Sequence, residues 1–169
     1  PALAIVNHQQ NDCDYPWPYL CGAALDYKVG IFLAEQFLSS EESHDYIYDT
    51  LDLVAIATIA DVVPLKGENR MIVKGGLEKI RKNPRPELKA LARLLKIDLS
   101  KIDAETIAFQ ISPLLNASGR IYNAYTSIQF LLGKTELAKD LIKMNSQRKE
   151  MVKKAILEAE LQIDNQEIS

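Results

Sequence analysis

Cysteine, histidine and tryptophan are scarce in this chain: two, two and one in 169 residues. Cys13 and Cys21 cannot lay out a disulfide framework, so a reducing, cytoplasmic setting is expected. The apolar run over 53–60 falls far short of the roughly 18–20 residues that cross a bilayer as a helix. Neither charge dominates, with 20 Lys+Arg against 23 Asp+Glu and a net charge of −3. Binding to nucleic acid by bulk positive charge is therefore excluded, while a local basic patch remains open. There is no P-loop and no GxGxxG; Gly75-Gly76 sits inside a helical pattern without phosphate-binding neighbours. Two histidines in loop-like or cap positions assemble no nucleophilic triad.

What is present is the balance of a globular protein, 47% hydrophobic and 25% charged, long enough to bury a real core. The fold class expected is α/β, predominantly helical. "ALAIVN" (2–7) reads as a buried strand already inside a fold, and the chain is expected to be a piece of a longer protein. Residues 8–19, polar and then rich in proline and aromatics, read as a loop. Helices are predicted over 22–38, over 44–59 with Ser43 as N-cap, over 68–83, over "ELKALARLLK", and from an Asp103 cap through "AETIAFQI". "SPLLNASGRIYNA" reads as a turn between helices, followed by a helix over 122–132 that Gly133 closes. From Thr135 some 30 residues pass without Gly or Pro, which predicts a helix of roughly 45 Å.

Three places invite chemistry. His8, Cys13, Asp14 and Cys21 lack the tight cysteine pair of a structural zinc site, so a packed aromatic loop is the better reading. Asp61 ends the apolar run "DLVAIATIAD" and could be an N-cap, a member of a buried ion pair, or a ligand for a hard divalent cation. In "LLNASGRI" (114–121), Asn116, Ser118 and Gly119 could shape a loop whose N–H groups face an anion. Arg120 would add a planar charged fork for phosphate oxygens, although an ordinary helix–helix turn with a surface arginine also fits.

Together, "AIVNH", "LCGAALDYKVG", "DLVAIATIADVVPLKGENR", "SPLLNASGR" and "KMNSQRKEM" resemble, in order and over nearly the whole chain, the RecJ family within the DHH phosphoesterases. The resemblance implies that residues 1–133 are the C-terminal portion of a DHH catalytic domain. Residues 134–169 would then begin a long linker helix to a second domain. It implies a 5′-to-3′ exonuclease on single-stranded DNA, in repair and recombination, with Mn2+ or Mg2+ in a two-metal site. Asp61 would be a metal ligand and Arg120, beside Asn116, Ser118 and Gly119, would meet substrate phosphate. No complete catalytic set is expected within these residues, because the other ligands of the family lie upstream. His8 stands where the family has Pro, Ser112 where it has Gly, and Leu114 where it has Arg. The rival expectation is a non-catalytic relative that binds nucleic acid or protein. Protein partners are left open by the sequence, and no membrane is expected.

Overall fold

The computed structural model describes residues 4–166, with side chains to 163. In chain order the helices are α1 (Gly22–Phe37), α2 (Ser40–Ala60), α3 (Gly67–Lys82), α4 (Pro86–Leu95), α5 (Ala104–Thr106), α6 (Ser112–Ile121), α7 (Tyr125–Leu131) and α8 (Ala138–Gln166). Short 3₁₀ turns lie at Leu99–Lys101 and Thr135–Leu137, and a π-helical segment at Ile107–Ile111 links α5 to α6. The predominantly helical reading holds. The strand expected over 2–7 does not form at 4–7, where Ile5 and Val6 are 75% and 60% exposed, and residues 2 and 3 lie outside the described residues. A strand needs a neighbour for its N–H and C=O groups, and no other strand exists among the described residues.

The chain divides into two compact units, residues 1–85 with 98–112, and residues 86–97 with 113–169. In the first, α1, α2 and α3 pack around Leu20, Cys21, Ala24, Tyr27, Val54, Ala55 and Ile72, with Trp17 and Val63 against that cluster. Helix α2 starts earlier than expected. Ser39, not Ser43, is its N-cap: the Ser39 hydroxyl accepts from the Glu42 N–H, and the Glu42 carboxylate accepts from the Ser39 N–H at 2.9 Å. This reciprocal box satisfies two helix-end donors at once, and Ser43 is left buried inside the helix. Gly76 lets α3 approach α2 closely, since a Cβ there would meet Ala55 and lie 2.8 Å from the Leu51 carbonyl oxygen.

In the second unit α4 and α7 pack with the beginning of α8, and Leu88, Leu91, Phe130 and Leu141 are fully buried. From Met151 to Ile163 every residue of α8 is exposed. Up to Ile163 the buried positions of the long helix, Ala138, Leu141 and Asn145, lie in its first turns.

Candidate functional site

The buried face of α2 (Val54, Ala55, Ile56, Thr58, Ile59) carries the chain straight to Asp61. Asp61 is the C-cap of that helix, its N–H donating to the Ala57 carbonyl at 2.9 Å. It is not an N-cap, because α3 begins later, after Lys66. Nor is it in a buried pair: it is exposed, and its carboxylate has no hydrogen bond or ion pair among the described residues. A carboxylate at a helix C-terminus opposes the negative end of the macrodipole, and no basic residue in the last turn of α2 offsets it. Of the three readings, the two structural ones fail.

The turn after Asp61 is fixed from several sides. Val62 adopts φ +57°, its N–H donating to the Ile59 carbonyl at 3.2 Å, and Val63 packs against the core cluster. Asn69, fully buried, donates from Nδ2 to the Tyr19 carbonyl at 2.7 Å and the Pro64 carbonyl at 3.0 Å. Gly67, at φ +50°, lies under the Trp17 ring, where a Cβ would come within 2.9 Å. Glu68 in the first turn of α3 accepts from the Tyr15 hydroxyl at 2.5 Å and pairs with Lys28 at 2.7 Å. Burial raises the Glu68 pKa, but the Lys28 and Tyr15 partners outweigh it and hold the carboxyl below its ordinary value.

The buried ion pair exists, but one helix stretch earlier. Asp52 is fully buried and bonded to Arg85 and Lys79. Sequence reading missed it, although an Asp between Leu51 and Leu53 inside an apolar helix is itself a signal that a cation must follow. Burial alone would raise its pKa; Arg85 and then Lys79 overcome that and lower it.

The segment expected as an anion-cradling turn is helical instead. Asn116, Ser118, Gly119 and Arg120 all lie in α6. Their N–H groups point along the helix and so do not converge on an anion. Leu114, Ala117 and Ser118 form its buried side, and the Ser118 and Ser127 hydroxyls meet at 2.7 Å while Ser127 donates to the Leu115 carbonyl at 2.5 Å. Asn116, Gly119 and Arg120 are exposed, and their i, i+3, i+4 spacing puts them on one face. Leu114 thus packs into the second unit where the family motif carries an arginine. His8 bonds through Nε2 to the Pro18 carbonyl at 3.0 Å, and both cysteines are free, Cys13 exposed and Cys21 buried.

Asp61 belongs to the first unit and Arg120 to the second. Among the described residues no three His, Cys, Asp or Glu side chains converge to hold a metal ion. Asp61 is one free carboxylate that could join a divalent-cation centre. Among the described residues no helix is long and apolar enough to cross a membrane.

No protein-family model matches the chain. It is similar to the single-stranded-DNA-specific exonuclease RecJ of Bacillus subtilis, 39% identical over 96% of this chain and 20% of that protein. The same-named protein of Haemophilus influenzae is 35% identical over 94% of this chain and 29% of its own length. That of Escherichia coli K12 is 34% identical over 94% and 30%. Among solved structures, exonuclease RecJ bound to manganese superposes with a TM-score of 0.67 at 29% identity, over 83% of this chain and 35% of that one. RecJ from Thermus thermophilus in complex with Mn2+ gives 0.70 at 29% identity, over 86% and 22%. The chain spans between 20% and 30% of the length of these curated relatives. Over the stretch it shares with them, the chain is similar, in sequence and in fold, to the RecJ exonucleases.

Proposed function

We propose that this chain works as one segment of a RecJ-like exonuclease, hydrolysing phosphodiester bonds of single-stranded DNA from the 5′ end in DNA repair and recombination in the cytoplasm. Residues 1–133 would serve as the C-terminal portion of the catalytic domain, and 134–169 as the start of the helix to a second domain. The observation that carries the reading is Asp61: an exposed carboxylate without a protein partner among the described residues, set against the helix dipole in a turn that neighbouring groups hold in place.

In this reading Asp61 is one ligand of a divalent-cation centre completed by residues outside the described chain. Mn2+ or Mg2+, when bound, would activate water and neutralise charge on the phosphate and leaving oxygen. Asp61 holds its carboxylate ready at the end of a rigid helix, and the Asn69 bonds keep the following turn from relaxing. Arg120, with Asn116 and Gly119 on the same face, offers permanent charge and polar donors to the phosphate backbone. Ser118 supports that face from inside through Ser127.

The test is hydrolysis of a 5′-labelled single-stranded oligonucleotide by the full-length protein carrying this sequence. Asp61→Asn should abolish Mn2+-dependent nucleotide release while leaving the circular dichroism unchanged, and Arg120→Ala should weaken DNA binding. An unchanged rate in Asp61→Asn removes Asp61 from the site. Absence of hydrolysis in the unaltered protein with either metal would leave the rival: a non-catalytic relative that binds nucleic acid or protein.

A further inference from the structure

Val62 breaks three preferences at once. It is β-branched, it sits at φ +57° in the left-handed region, and it is 88% exposed. A branched Cβ in that conformation crowds its own backbone, and for such a residue this is a true outlier. Elsewhere among the described residues the same region is taken by Gly67, by Gly133 and by the unbranched Lys96 at φ +58°. Burial does not compensate, because most of the Val62 side chain faces solvent. The strain is kept by the surroundings: the Val62 N–H on Ile59, Val63 in the core cluster, and the Pro64 carbonyl held by Asn69 and by the Lys66 N–H at 2.9 Å.

The residue directly before this outlier is Asp61. A glycine at 62 would complete the helix end without strain, but it would also widen the range of backbone angles open beside Asp61. We propose that Val62 is a positioning residue: its left-handed backbone, bearing a β-branched side chain, narrows the directions open to the Asp61 carboxylate and fixes it for a divalent cation, at the expense of stability. Strain that packing does not repay is what is found where a site is held preorganised. The inference rests on the reading of Asp61 as a metal ligand and goes beyond it, because it assigns a role to the backbone conformation of the residue beside that carboxylate.

The experiment uses the full-length protein carrying this sequence, with Val62→Gly, Val62→Ile and Asp61→Asn. Two readouts are taken: the melting temperature in the presence of a chelator, and binding of Mn2+ alone by calorimetry. Val62→Gly should melt higher than the unaltered protein yet bind Mn2+ about tenfold more weakly, the scale typical of residues that orient a metal ligand. Val62→Ile should keep both native values. Higher melting with native Mn2+ affinity overturns the proposal, since the strain would then do nothing for Asp61. Lower melting overturns it too, since no strain would have been stored. Native Mn2+ affinity in Asp61→Asn overturns the underlying reading of Asp61, whatever Val62→Gly shows.

Discussion

Asp52 and Arg85 face each other through two hydrogen bonds, Nε to Oδ2 at 2.8 Å and Nη2 to Oδ1 at 2.7 Å, with the carboxylate wholly buried. Lys79 reaches the same carboxylate at 3.1 Å, and the Asp49 carbonyl accepts from both cations, at 2.6 Å from Lys79 and 2.8 Å from Arg85. This arrangement ties α2 to α3 and to the segment that follows α3. It holds the middle of the helix that carries Asp61 at its end.

Removing the carboxylate should be costly. Asp52→Ala leaves Lys79, only 5% exposed, with just the exposed Asp49 carboxylate at 3.9 Å and strips Arg85 of its two carboxylate bonds, and a loss of about 3–5 kcal/mol is expected in urea unfolding. A loss under about 1 kcal/mol would mean that the pair contributes little beyond packing.

The same pair sets an acid limit. In the fold the Asp52 pKa lies below its ordinary value, because Arg85 and Lys79 outweigh burial. A depressed folded value means the contribution is fully present above the unfolded value of about 4 and is lost as pH falls through the folded one. Glu68, also lowered, acts in the same direction. Acid titration followed by circular dichroism should show stability holding down to about pH 4 and falling below it. In Asp52→Asn that acid-dependent fall should be shallower.

Asn69→Ala should loosen the Asp61 turn. It deletes the two hydrogen bonds to the Tyr19 and Pro64 carbonyls and leaves those acceptors without that partner. A cost of about 1–3 kcal/mol is expected, with faster amide exchange around residues 61–66.

Ser127→Ala removes the bridge that joins Ser118 and the Leu115 carbonyl. With Ser118 fully buried, about 1–3 kcal/mol should be lost. DNA binding by the full-length protein should weaken less than in Arg120→Ala, since Arg120 itself remains exposed.

Much of the helical order was legible in the sequence, because the apolar spacing in α1, α3 and α4 and the Asp103 cap are local signals. Asp103 does accept from the Thr106 N–H at 2.7 Å. The misreadings share one cause: a local signal overruled by its surroundings. In "NASGR" the polar and small residues suggested a turn, but Leu114, Ala117 and Ser118 share a buried helical side, and that packing wins over propensity. Ser39 and Ser43 both precede plausible helix starts, but only Ser39 has a Glu three residues on to complete the box. "ALAIVN" has a strand's composition, yet pairing depends on a partner that no local pattern supplies. At the candidate site, Asp61 stood out as a lone carboxylate after an apolar run. The left-handed Val62 beside it did not, since a conformation forced by its surroundings leaves no mark in residue type.

The most direct measurement is calorimetric titration of Mn2+ into the full-length protein with Asp61 and with Asp61→Asn, both checked for native circular dichroism. The variant should lose at least one of the bound ions, or bind Mn2+ about tenfold or more weakly. Equal stoichiometry and equal affinity in the two proteins would contradict the reading of Asp61 as a metal ligand. Asp61 would then be an exposed helix-end carboxylate with no part in the metal site.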